Sequence, residues 1–156
     1  MSATLEQFAT DATATEAFGA RLARELSPGL VVHLEGDLGA GKTTLARGLL
    51  QALLPGQRVK SPTYTLVERY RAPAFDVLHL DLYRLGDPEE LEFLGVREDA
   101  GRAVLLVEWP QRGADRLPAP DLTVRLAPSG AGRSIALIAT SALGTALVGR
   151  LSQTLT

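Results

Sequence analysis

An α/β fold in a single domain, residues 1–156, is predicted by three features of the sequence. Apolar, β-branched runs of strand length alternate with segments of helical period. One such run leads straight into a glycine-rich loop that opens a helix. The length of 156 residues with 46% hydrophobic content supplies one core, whereas two ordinary domains need roughly 200 residues or more.

In chain order, Phe18, Leu22 and Leu26 fall at helical spacing between Thr15 and Leu26, with Glu16, Arg21, Arg24 and Glu25 elsewhere on the wheel. Ser27-Pro28-Gly29 stops that helix. Leu30-Val31-Val32-His33-Leu34 then reads as a buried strand. The pattern Leu45, Leu49, Ala52, Leu53 makes Lys42 to Leu54 a second helix, ended by Pro55-Gly56. Thr65 to Tyr70 and Val77 to Asp81 are strands, and Ala72-Pro73-Ala74 suits a turn joining them as an antiparallel hairpin. Asp87-Pro88-Glu89-Glu90 starts a short helix, with Pro88 at its first position and acids in its first turn. Ala103 to Val107 is another buried strand, ended by Glu108-Trp109-Pro110. Leu122 to Leu126 and Ser134 to Ala139 are late strands joined by a turn over Pro128 to Gly132, and Ser141 to Leu155 is a closing helix.

Composition narrows the function. With 18 acidic against 16 basic residues, a net charge of −2 gives no long-range attraction to phosphate backbones, so independent, high-affinity nucleic-acid binding is not expected. Cysteine is absent, which excludes disulfides, zinc-thiolate sites and thiol catalysis and suits the cytosol. The N-terminus has neither the basic start nor the apolar segment of a secretory signal. The uncharged stretch between Arg133 and Arg150 is diluted by Ser134, Thr140, Ser141, Gly144 and Thr145 and falls short of the ~20 apolar residues of a spanning helix. No membrane association is expected.

Gly36-Asp37-Leu38-Gly39-Ala40-Gly41-Lys42-Thr43 satisfies G-x-x-x-x-G-K-[ST], after an apolar strand and at the start of a helix. Its glycines let successive backbone N–H groups turn inward around a phosphate, and the helix that follows adds the partial positive charge of its N-terminus. Lys42 is placed for the β- and γ-phosphates and the Thr43 hydroxyl for Mg²⁺. A nucleotide triphosphate with Mg²⁺ is therefore the expected ligand.

Such a site needs an acid at the end of a neighbouring strand, because Mg²⁺ keeps octahedral oxygen coordination. Glu108 and Asp81 both qualify, each at the C-terminal edge of a strand where ligands of open α/β sheets gather. The sequence does not decide which touches the metal. Lys60-Ser61-Pro62-Thr63-Tyr64-Thr65 lies where a segment responsive to the γ-phosphate is often found, although a proline turn with ordinary hydroxyl capping gives the same residues. His79, on an apolar strand, reads as packed rather than catalytic. Trp109 reads as packing or as an indole near the nucleotide.

Together with Thr44, Ser61-Pro62-Thr63-Tyr64-Thr65-Leu66-Val67-Glu68, His79-Leu80-Asp81-Leu82-Tyr83-Arg84-Leu85 and Val107-Glu108-Trp109-Pro110, the chain closely resembles the TsaE family, small bacterial ATPases of tRNA threonylcarbamoyladenosine synthesis. The resemblance covers nearly the whole chain and includes Asp87 to Leu91. It implies a P-loop NTPase fold with a mixed parallel and antiparallel sheet flanked by helices. It also implies ATP hydrolysis that is weak in isolation and assembly with TsaD and TsaB proteins, so that tRNA is reached only through the complex. Hydrolysis would support cycling of that complex, with TsaC-type proteins supplying threonylcarbamoyl-adenylate. Carried over by position, Lys42, Asp81 and Glu108 are the catalytic residues. Asp37, Leu38, Gly39, Ala40, Gly41, Lys42, Thr43, Thr44 and Arg133 bind ATP, and Thr43 and Glu108 hold Mg²⁺. Asp81 assists the metal or orients water. Ser61 and Thr63 belong to a switch-like loop, Trp109 stands beside the catalytic acid, and residues around Asp11 to Thr15 approach the adenine.

The alternative use of the same loop is a small-molecule kinase, but the arginines here are scattered rather than gathered into a lid. A GTP-dependent switch lacks the Asn-Lys-x-Asp sequence that reads guanine.

Overall fold

The computed structural model describes residues 3–155. Seven strands form one sheet: β1 (Thr4–Ala9), β2 (Val31–Glu35), β3 (Val67–Arg71), β4 (Asp76–Asp81), β5 (Val104–Glu108), β6 (Leu122–Ser129) and β7 (Gly132–Ala139). Their spatial order is β1-β7-β6-β2-β5-β4-β3. The central four, β6, β2, β5 and β4, run parallel, while β3 adds antiparallel at one edge and β7 and β1 at the other. The sheet is therefore mixed. β5, between β2 and β4, is buried at all of its positions, which is why Val104 to Val107 shows no polar alternation.

The two faces of the sheet carry different cores. Val32 and Leu34 of β2 and Val104 and Leu106 of β5 point to a cluster with Phe18, Leu22, Leu45, Leu49, Leu147 and Leu151. These last six come from α1 (Ala12–Ala23), α2 (Lys42–Leu53) and α5 (Ala142–Thr154). Val31 of β2, Leu78 and Leu80 of β4 and Leu105 and Val107 of β5 point the other way, to Leu82, Leu85, Leu91 and Val96. That second face is covered by two single-turn helices, α3 (Glu90–Phe93) and α4 (Val96–Asp99), and by 3-10 turns over Pro110–Arg116. Among the described residues no helix is long and apolar enough to cross a membrane.

Several expected boundaries move. α1 starts at Ala12 rather than Thr15, because the Asp11 side chain accepts from Ala14 N at 2.8 Å and caps the helix there. Pro88 precedes the helix instead of opening it: Glu90 N donates to Asp87 O in a turn, and the helix begins at Glu90. The late hairpin runs on to the pair Ser129 and Gly132, so its turn shrinks to Gly130-Ala131 with Gly130 at φ +58°. Ser141 is the cap of α5 and accepts from Gly144 N, which settles the stretch after Arg133 as strand then helix. β1 and α4 have no counterpart in the sequence reading.

Candidate functional site

The glycine loop leaves the C-terminal end of β2 and enters α2. Gly41 is the helix cap at φ +108°, a conformation that disfavours any side chain. A Cβ on Gly36 would lie 2.5 Å from the Leu126 carbonyl oxygen, so the loop is also pressed against β6. What remains is a concave strip of backbone at a helix N-terminus, suited to accept an anion.

Lys42 opens α2, and its side chain is almost fully buried. Its Nζ donates to the Gly36 carbonyl and to the Asp37 carbonyl at 3.0 Å, and it sits 4.0 Å from the centroid of the Trp109 ring. In the free chain the ammonium is thus folded back onto its own loop. Burial pushes its pKa below the ordinary 10.5, against the opposing pull of Glu108, Asp81 and Asp37.

Both strand-end acids face this lysine, for a reason of parity. Side chains alternate along a strand, and Val77, His79 and Asp81 of β4 share the face of Val104, Leu106 and Glu108 of β5, the face on which α2 lies. The register pairs Asp81 with Glu108 directly. Thr43 Oγ1 donates to Glu108 Oε1 at 2.8 Å, joining the loop to β5. Asp81 Oδ1 accepts the backbone N–H of Tyr83 at 3.1 Å. His79, read from the sequence as packed, is packed, with 2% of its side chain exposed, and its Nε2 also lies 2.7 Å from Glu108 Oε2.

Burial holds the Asp81 carboxyl above its ordinary 3.8; the Tyr83 N–H opposes this and the Glu108 charge adds to it. The ionised form therefore costs stability at neutral pH. Below 3.8 the folded and unfolded chains both carry it protonated, and the cost is gone. Asp81→Asn keeps an acceptor for Tyr83 and is expected to melt above the parent at neutral pH. That advantage shrinks as pH falls through the raised folded value and vanishes below the unfolded one, which thermal melts across the acid range will measure.

Trp109 has φ +57° and ψ +51°, a left-handed backbone that a bulky residue seldom adopts and that turns its indole back under Lys42. The Tyr83 ring lies 4.9 Å from it, and Arg84 stacks over Tyr64 at 4.7 Å. Trp109, Tyr83 and Arg84 wall a cleft of about 480 Å³, within the ~300–1,000 Å³ usual for small-molecule sites. Of the residues singled out in the sequence, 38–44, Thr63, Asp81, Glu108, Trp109 and Arg133 line it, as do Asp11 and Thr15. Arg133 reaches in from β7, its Nη2 donating to Gly39 O at 3.1 Å. Asp37 and Ser61 stand outside the lining: Asp37 meets Lys42 through its carbonyl, and Ser61 Oγ bonds Thr63 Oγ1 at 2.7 Å. Tyr83 and Arg84 also line the cleft, and the signal for them in the sequence is their place two and three residues beyond Asp81.

A family model described as "Threonylcarbamoyl adenosine biosynthesis protein TsaE" matches residues 9–135. A curated relative from Haemophilus influenzae, named tRNA threonylcarbamoyladenosine biosynthesis protein TsaE, is 42% identical over 154 residues, covering 95% of this chain and 98% of its own length. A relative of the same name from Bacillus subtilis is 38% identical over 117 residues, 74% of this chain and 73% of its own. The crystal structure of YdiB from Bacillus subtilis superposes with a TM-score of 0.84 at 29% identity, covering 100% of this chain and 99% of that one.

Proposed function

The chain belongs to the TsaE family of threonylcarbamoyl adenosine biosynthesis proteins, and on that premise we propose that it is a cytoplasmic, Mg²⁺-dependent ATPase that works with TsaD and TsaB proteins to form threonylcarbamoyladenosine in tRNA. The observation that carries this reading is the convergence of Lys42, Thr43, Asp81 and Glu108 at the mouth of the glycine loop.

The donor set fits magnesium bound together with a nucleotide. The Thr43 hydroxyl and the carboxylates of Glu108 and Asp81 are hard oxygen donors. Among the described residues no group of three or more His, Cys, Asp or Glu would hold a metal alone. Mg²⁺ ordinarily takes one or two carboxylates and completes its shell with phosphates and water. Thr43 and Glu108 would hold it, and bound Mg²⁺ would supply charge neutralisation on the terminal phosphates.

The protein's own part follows from its geometry. The loop N–H groups and the N-terminus of α2 hold the phosphates. Lys42 exchanges the carbonyls of Gly36 and Asp37 for phosphate oxygens, which restores a full counter-charge to a poorly solvated ammonium. Asp81 would assist the metal or orient water, and the Trp109 and Tyr83 rings cover one wall of the cleft. Asp11 and Thr15, which line the cleft, would approach the adenine, with Arg133 beside the loop. The net charge of −2 supports contact with tRNA only through partners.

A pull-down with TsaD and TsaB is expected to recover the chain in ATP and to lose it, or hold it more weakly, in ADP. Failure to bind either protein in both nucleotides contradicts the proposal.

A further inference from the structure

Glu108 is held twice. Thr43 Oγ1 donates to Oε1 at 2.8 Å, and on the other oxygen His79 Nε2 lies 2.7 Å from Oε2. Both side chains are 2% exposed, so the contact between them is buried. A buried carboxylate can only accept, so the imidazole donates, and Nε2 carries the proton. The remaining ring nitrogen, Nδ1, is buried without a hydrogen-bond partner among the described residues. A bare lone pair there is easier to leave unpaired than an N–H, which favours the same tautomer.

The register explains why position 79 can do this. Asp81 is paired with Glu108, and residue 79 lies two places earlier on the same face of β4, one step deeper in the sheet. Glu108 and Asp81 line the cleft; His79 does not. It stands behind the carboxylate, out of reach of a ligand.

We propose that His79 is the positioning residue of Glu108: its Nε2–H fixes Oε2 so that Oε1 is presented to the Thr43 hydroxyl and to the metal. The inference rests on the magnesium-dependent nucleotide site proposed above. An outer partner that orients a metal-binding group commonly changes metal affinity by about 10–100-fold when removed.

Four variants, read by ring spectra and by nucleotide-binding titrations, test it. In long-range ¹H–¹⁵N spectra of the free protein, the His79 ring is protonated on Nε2, and its signal moves in Glu108→Gln. In Mg²⁺ titrations of ATP binding followed by Trp109 fluorescence, His79→Leu raises the magnesium midpoint by about tenfold or more. His79→Gln, whose amide nitrogen reaches as far as Nε2, restores most of it. Nucleotide affinity in EDTA stays at the parent value in both. Should His79→Leu not fold, His79→Asn, too short to reach Oε2, carries the same expectation. A folded His79→Leu or His79→Asn with the parent's midpoint overturns the inference. So does a proton found on Nδ1, or an equal loss in His79→Gln and His79→Leu, which would assign the residue to packing. A parent chain without magnesium-dependent binding overturns the functional reading instead, and the ring signal still decides whether His79 holds the carboxylate.

Discussion

Replacing Lys42 with alanine is expected to cut ATP turnover in the assembled complex by about 10²–10³-fold, the usual loss when a preorganised charge at a reacting centre is removed. Phosphoryl transfer asks little covalent chemistry of the protein; placement and charge stabilisation supply nearly all of the rate. Lys42 is the cation brought deepest into the loop, and its counter-charges, Glu108, Asp81 and Asp37, are those around which the nucleotide would sit. The effect should fall on chemistry rather than on folding. Burial already holds the ammonium below its ordinary pKa, so the charge costs the free chain stability and its removal leaves the melting temperature near the parent's. Steady-state phosphate release and a thermal melt on the same preparation separate the two effects.

The second large effect is structural. Gly48 lies in the middle of α2, where alanine ordinarily stabilises a helix by about 0.8–1 kcal/mol over glycine. Here the sign reverses. A Cβ on Gly48 would lie 2.1 Å from the Glu16 carbonyl oxygen of α1, and one on Gly19 of α1 would lie 2.2 Å from the Leu45 carbonyl oxygen of α2. The two helices meet backbone to backbone through these glycines, and no rotamer change relieves a clash with main chain. Gly48→Ala is therefore expected to destabilise by about 2 kcal/mol or more, through overpacking that shifts the helices. The melting temperature falls by about 4–8 °C as a result. Gly149, in α5, has open space around its Cβ position, and Gly149→Ala should raise stability slightly. Denaturant unfolding of both variants shows the opposite signs. Because α2 also carries Lys42 and Thr43, the loss at Gly48 should be accompanied by weaker nucleotide binding.

How much of this could be read from sequence depended on how far apart the interacting residues lie along the chain. The phosphate loop is contiguous, so its ligand geometry is written in eight adjacent residues. The buried parallel strands β2, β4 and β5 are legible because each is a short, mostly apolar run, broken only by His33 in β2 and His79 in β4 before its terminal acid. Glu108 and Asp81 are legible as strand-end acids, but the parity that turns both toward α2 is not, because β4 and β5 are buried on both faces and show no alternation. β1 escaped because Thr4 to Phe8 alternates between exposed and half-buried at the sheet's edge, and it is completed only by pairing with β7, more than a hundred residues later. α4 is a single turn entered through Gly95 in a left-handed conformation, too short to show a period. The bond between His79 and Glu108 was invisible for a different reason. Each residue was correctly placed on its strand, but the contact exists only once β4 and β5 are in register. Arg133 was located by resemblance alone; its reach to Gly39 depends on β7 lying beyond β6 from the loop.

The most direct test is multiple-turnover tRNA modification in a reconstituted mixture of TsaD, TsaB and a supply of threonylcarbamoyl-adenylate, run with the parent chain and with Lys42→Ala. With the parent and hydrolysable ATP, modification should continue round after round; with Lys42→Ala it should stall after the first. Undiminished multiple turnover with Lys42→Ala would show that hydrolysis at this loop is not what the complex draws on.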